Sequence, residues 1–233
     1  LALGVIQLGR QAMRNRPWTF ATIACIAGAL SIAGSVASLH MGRTLKRMRG
    51  LASACLEVER YIDPATDRYP QSCLFPLFPM TPGTSWVRPS AEVLGQLGFR
   101  KIATHAIFVP NPPVSYGSFE TAAGVGGTPT VHNDSAIRAN GWIISRVNSA
   151  SPPLVLISVD QAHMFVAAAL AGLRNSATAL RGGETVKLWS VKVPAVFLPH
   201  GMSVLHAWLY RADAEEFDQL TNVDGEHRVD RTP

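Results

Sequence analysis

The stretch "TVKLWSVKVPAVFLPHGMSVLHAWLYRAD", Thr185–Asp213, decides the fold. Its first half sets Val186, Leu188, Ser190 and Lys192 against Lys187, Trp189, Val191 and Val193. Its second half sets Val204, His206, Trp208 and Tyr210 against Leu205, Ala207 and Leu209. Side chains that change face at every residue belong to β-strands, and the Pro/Gly pair in "LPHG" separates two of them. Upstream, "PPLVLISVD" is a continuous apolar run ended by Asp160, the pattern of a strand buried on both faces. "AIRANGWIIS" places Asn140-Gly141, a turn signal, before the β-prone Trp142, Ile143 and Ile144. "HMFVAAALAGL" is expected to form a helical turn or short helix. Residues 135–220 therefore read as a small antiparallel β-sandwich of immunoglobulin-like character. A polar tail, 221–233, is expected to be disordered.

Working toward the N-terminus, "NPPVSYGSFETAAGVGGTPT" is rich in Pro, Gly, Ser and Thr, so 110–134 reads as a linker. "SWVRPSAEVLGQLGF" reads as a short helix with Ser90 as its cap, Gly98 as its stop, and Val93, Leu94 and Leu97 on one face. The prolines of "CLFPLFPMTPG" forbid a regular helix. Cys55 and Cys73 frame a Tyr/Pro/Asp-rich excursion; a disulfide there would suit an oxidising compartment, and two unpaired thiols are the alternative. Residues 51–109 are thus a connecting region.

From Pro17 to Leu39 no side chain is charged. Those residues as a helix measure about 34 Å at about 1.5 Å each, enough for a hydrocarbon core about 30 Å thick. Residues 1–50 contain seven basic residues and no acidic one. The other 14 basic residues face 16 acidic ones, so the high isoelectric point belongs to the flanks of the apolar segment. That distribution argues against a nucleic-acid partner, which requires cations clustered on the folded domain. A cleaved leader is the competing reading, with "SVASL" as the cleavage site, but "RTLKRMRG" is an unusual mature start. Ala27, Ser31, Gly34 and Ser35 form a small-residue stripe suited to neighbouring transmembrane helices. "LALGVIQLG" reads as the tail of an earlier span, which makes "RQAMRNRP" a short basic cytoplasmic loop and places residues after about 50 outside, although the four basic residues from Arg43 to Arg49 pull the other way.

"LASACLEVERYIDPATDRYPQSCLFPLFP" and "VRPSAEVLGQLGF" together resemble the stretch that closes a group of uncharacterised bacterial polytopic membrane proteins. Some of these are similar to surface-polysaccharide glycosyltransferases or polymerases. "ANGWIIS", "PPLVLISVD" and "WSVKVPAVFLPHGMSVLHAWLYRAD" are similar to the small β module ending such chains, with Gly141-Trp142, Asp160 and Leu198-Pro199-His200-Gly201 at its marks. The resemblance implies a bacterial inner-membrane protein with an extracytoplasmic β module and any catalytic part upstream.

No nucleophile elbow, metalloprotease helix or phosphate-binding loop is present, so no catalytic, metal or cofactor residue is assigned. His163, His200 and His206 with Asp160 read as turn and structural residues. Trp142, Trp189, Trp208 and Tyr210 remain as rings that could lie against a sugar; the competing reading makes them core filling. The lipid bilayer, neighbouring membrane helices and glycans are the expected partners, with no cofactor.

Overall fold

The computed structural model describes residues 17–77, 86–121, 128–146, 153–160, 163–172, 178–179, 184–222 and 227–232. The expected tail of an earlier span, the basic loop before Pro17 and the glycine run at 124–127 lie outside them. The chain is α+β and divides after Lys46 into two units.

The first unit is the apolar part of helix α1, Pro17–Glu57. From Cys25 onward this helix is long and apolar enough to cross a membrane, with none of its apolar window buried inside the protein. Leu30, Ile32, Val36 and Leu39 are all exposed. Ser31 Oγ donates to the Ala27 carbonyl at 2.9 Å and Ser35 Oγ to that of Ser31 at 2.9 Å. These bonds satisfy the hydroxyls within the helix, a condition for placing them in lipid.

The second unit, Arg47–Pro233, is built on two sheets. Its strands in chain order are β1 (Ile107–Val109), β2 (Gly117–Thr121), β3 (Thr130–Val131), β4 (Ala136–Arg146), β5 (Leu154–Val159) and β6 (Phe165–Leu170). They continue with β7 (Thr178–Ala179), β8 (Glu184–Pro194), β9 (Gly201–Arg211), β10 (Glu216–Gln219), β11 (Thr221–Asn222) and β12 (His227–Arg231). In the first sheet β9 is central: β5 and then β6 lie on one side, and β10 and β12 share the other, extended by β1 and β3. The second sheet runs β11-β2-β4-β8-β7. The chain crosses between sheets at Leu220, buried between β10 and β11.

Because opposite residues in a ladder share a face, the register assigns each core. Val155, Ile157 and Val159 of β5 stand with Leu209, Ala207 and Leu205 of β9 and pack against Phe119, Ile143, Trp189 and Val193 of the second sheet. Leu154 and Leu156 stand with Tyr210 and Trp208 on the other face. There they meet a helical layer: Cys55 and Leu56 from the end of α1, then Val58, Ile62 and Leu74, and finally Val87 and Ala91 of helix α2 (Val87–Gln96). All six residues of β5 are buried, as a run apolar at every position but Ser158 requires.

The helical layer carries its own fastenings. Asp63 Oδ1 accepts from Ala65 N at 2.8 Å and Pro64 occupies the first position of a 3₁₀ turn, an N-cap that "DPATD" specifies. Asp63 N donates to the Phe165 carbonyl at 2.9 Å, tying that turn to β6. Arg88 of α2 grips Asp67 with both prongs, Nε to Oδ2 at 2.9 Å and Nη2 to Oδ1 at 3.2 Å. The same guanidinium donates to the backbone carbonyls of Glu59 and Ile62, so one fork closes the layer. A disulfide joins Cys55 to Cys73, whose Cα atoms are 6.3 Å apart.

Several expectations are corrected. The 110–134 stretch is not a linker, since β2 pairs with β4 along its whole length and β3 with β12. Residues 51–109 do more than connect, because they cover one face of the first sheet. "FVAAAL" is strand β6 rather than a helical turn: its alanines favour helix, but pairing with β5 and burial on both faces decide. Asn140-Gly141 is mid-strand, not a turn, and the 221–233 tail contains β11 and β12. Among the described residues three of ten strand pairings are parallel, so the sandwich is not wholly antiparallel. Gly98, at φ 71°, stops α2 as expected, but Ser90 lies inside the helix. The Val93, Leu94 and Leu97 face is exposed, while Val87 and Ala91 are buried.

Candidate functional site

Three of the four proposed sugar-contacting rings are inside the protein. Trp189 sits between the sheets, 6.1 Å from the Phe119 ring. Trp208 faces the helical layer, and its Nε1 donates to Ser158 Oγ at 2.9 Å. Tyr210 packs 5.1 Å from Phe217, and burial pushes its hydroxyl up to about 12, outside the range of acid–base chemistry. These three are core residues, and their assignment as glycan contacts is withdrawn. Each lies on a strand face that the register turns inward, as a large apolar ring in a sandwich should.

Trp142 is different. It is half-buried on the outer face of the second sheet, directly opposite Leu188, which is 44 % exposed. One step along the same face, Asn140 stands opposite Ser190 on one side and Glu120 on the other. A further step brings Arg138 opposite Lys192. Same-face residues recur every second position, so neighbouring rungs are about 7 Å apart. Along β4 and β8 the outer face thus grades from apolar through neutral polar to cationic over about 14 Å, with the Glu120 carboxylate beside the middle rung on β2. All three rungs line an open groove of 720 Å³, which Arg47 also lines.

Gly141 makes this arrangement possible. A Cβ there would lie 2.0 Å from the Ser118 carbonyl oxygen and 3.0 Å from Cζ2 of Trp189. Without one, β2 and the Trp189 ring approach β4 on its inner side while Trp142 and Asn140 point outward.

The electrostatics of the groove are uncompensated. Like charges directly opposite in a ladder repel, and neither Arg138 nor Lys192 has a carboxylate partner among the described residues. Other cations of the domain do find carboxylates, Arg211 among them. Arg211 Nε lies 2.9 Å from Asp218 Oδ2 as an ion pair without hydrogen-bond alignment, and Arg211 also bonds Glu216 and the Tyr116 hydroxyl. Burial raises the Asp218 carboxyl above its ordinary range, only partly offset by Arg211.

The other polar candidates hold the fold. Asp160, at φ 52°, donates its N–H to the Val204 carbonyl at 2.7 Å, and its Oδ1 accepts from Val204 N at 2.8 Å. It therefore closes the end of the β5–β9 ladder. His163 stacks on Phe108 with ring centres 4.2 Å apart, His206 pairs with Gln219 at 2.9 Å, and His200 is exposed. Among the described residues no three His, Cys, Asp or Glu side chains converge as a metal site. Ala27, Ser31, Gly34 and Ser35 lie exposed on α1, and an added Cβ at Gly34 would meet nothing within 4 Å.

Sequence reading missed Glu120, Arg138, Asn140 and Lys192. The signal was available for three of them: alternation through "IRANGWIIS" and "VKLWSVKV" places Arg138, Asn140 and Lys192 with Trp142 and Leu188, while Glu120 lies on β2, in the stretch read as linker. Reading Asn140-Gly141 as a turn cut β4 in two and hid it.

No protein-family model matches the chain, and comparison with curated proteins and with solved structures gives no match.

Proposed function

We propose that this chain belongs to an integral membrane protein of the kind that assembles cell-surface polysaccharide, and that its β module has a structural or partner-contacting role outside the cytoplasm. The observation that carries this reading is a single helix, Pro17–Glu57, whose apolar stretch from Cys25 is exposed and whose last turn carries Cys55 and Leu56 of the domain core. The Cys55–Cys73 disulfide supports an oxidising, extracytoplasmic compartment. Two packed sheets are the framework that immunoglobulin-like interaction modules use. Burial of Trp189, Trp208 and Tyr210 favours architecture over ligand binding for most of the domain's aromatic surface.

Alkaline extraction of membranes from cells expressing the chain tests the reading, combined with labelling by a membrane-impermeant maleimide. The chain stays in the pellet until detergent is added, and the half-buried Cys73 labels from outside only after reduction. Recovery in the alkaline supernatant, or labelling without reduction, refutes it.

One observation favours a second reading. The half-exposed Trp142–Leu188 pair, flanked by Asn140, Ser190 and Glu120, has the make-up of a saccharide-binding surface. An aromatic ring can lie under the apolar face of a pyranose while neutral polar groups orient its hydroxyls. On this reading the module holds glycan beside a sugar-transferring or polymerising unit.

A further inference from the structure

We infer that the groove on the outer face of the second sheet selects an acidic saccharide, one whose sugar units carry carboxylates, rather than a neutral one. This rests on the saccharide reading of Trp142 and adds to it the chemical class of the ligand.

The argument starts from the ladder. Arg138 and Lys192 face each other across β4 and β8, an arrangement that costs stability without a bound anion. Both are exposed and, among the described residues, neither has a carboxylate partner. The pair is therefore available for a ligand. Arg47 adds a third cation and Glu120 a single opposing carboxylate, so the groove is net positive in a domain that is otherwise slightly acidic.

The order of the rungs supplies the second half. A lone anion would need only the Arg138–Lys192 rung. The groove continues through a hydrogen-bonding rung, in which Asn140 and Ser190 are neutral and Glu120 is at the far side on β2, to an apolar platform. A short oligosaccharide fits that sequence, with one ring on Trp142, hydroxyls on Asn140 and Ser190, and a carboxylate on the guanidinium and ammonium groups. Arginine's planar fork can hold a carboxylate with two parallel hydrogen bonds. A phospholipid headgroup would use the cations but not the neutral and aromatic rungs, so the saccharide is the better match.

The test uses the full chain in nanodiscs of zwitterionic lipid, titrated with hexagalacturonate and with the neutral maltohexaose. Hexagalacturonate should bind, weaken as salt rises, and bind at least about tenfold tighter than maltohexaose. Arg138→Gln and Lys192→Gln should each cost about tenfold for hexagalacturonate while leaving maltohexaose affinity unchanged. Both side chains are exposed, so folding is preserved, as an unchanged melting temperature will verify. Trp142→Ala should weaken both sugars, and Trp142→Phe should restore part of the loss. Equal binding of the two sugars, lost in Trp142→Ala but unaffected by the glutamines, overturns the acidic selectivity and leaves the saccharide reading standing. Binding of neither sugar overturns both. Vesicles of anionic lipid that engage Arg138 and Lys192 while hexagalacturonate does not would also overturn both, in favour of a membrane contact.

Discussion

The two sheets of the domain treat their faces differently. The first is buried on both sides, between the second sheet and the helical layer; the second is covered on its inner side and keeps an uncovered polar face with Trp142 at one end. The strands record this difference. β5 reads "LVLISV", apolar with one serine, and that serine accepts the Trp208 indole N–H. β8 reads "ETVKLWSVKVP" and alternates, with Trp189 and Val193 inward and Ser190 and Lys192 outward. A sheet shut off on both faces gives stability, and a sheet open on one face leaves room for a partner. Function in this domain is best sought on the second sheet.

The largest way to break the comparison is to remove the helical layer. A fragment of residues 110–233 loses the cover over Leu154, Leu156, Phe165, Trp208 and Phe217, all buried in the whole domain. Expressed alone it should fail to give a cooperative unfolding transition or a dispersed amide spectrum. A soluble, cooperatively folded fragment would show that the layer is dispensable.

Point substitutions sharpen the contrast. Phe165→Ala, in the doubly covered sheet, should cost about 3–5 kcal/mol in denaturant unfolding. Leu188→Ala, on the open face, should stay within about 0.5 kcal/mol. Similar costs at the two sites would erase the distinction between the sheets.

The disulfide comes next. Cys55→Ser with Cys73→Ser opens a loop of sequence separation 18 within the helical layer and should cost about 3 kcal/mol. A much smaller loss would mean that Arg88 and its carboxylates hold the layer without it. Gly141→Ala serves the open sheet, where the clash with the Ser118 carbonyl should cost about 2–3 kcal/mol. No measurable loss would show that β2 and β4 can separate freely there.

The smallest expected effect depends on pH. Burial raises the Asp218 carboxyl, so between its unfolded and folded pKa values the native state holds more protons than the unfolded one. Its contribution to stability therefore falls as pH rises from the ordinary carboxylate range upward. Asp218→Asn removes that dependence, so the variant should gain on the wild type between about pH 4 and pH 7. A stability difference constant across that window would mean that Asp218 titrates as an ordinary exposed carboxylate.

How much of this the sequence disclosed follows from the same physics. β5, β8 and β9 were legible because period-two alternation or an unbroken apolar run is a strand's own signature, and the apolar part of α1 was legible from length and missing charge. β2 was not, because Gly117 and Ser118 look like linker and only pairing with Trp142 and Ile143 makes them strand. β12 was hidden among polar residues, although His227 and Val229 alternate inward with Arg228 outside. β6 was hidden by its alanines, whose helix preference of a few tenths of a kcal/mol each yields to pairing on β5. Of the binding face only Trp142 was legible. Its charged and amide neighbours became visible once β4 was known to run unbroken through Gly141.

The central claim is that the helical layer and the two sheets share one cooperative core, leaving the outer face of the second sheet as the working surface. Native-state hydrogen exchange tests it most directly, followed amide by amide in low denaturant. The account requires the β5 and β9 amides and those of Val58, Tyr61 and Ile62 to open in one common unfolding event, with equal free energy and equal denaturant dependence. If Val58–Ile62 exchanges through a separate, lower-energy opening while β5 stays protected, the layer is an accessory and the claim fails.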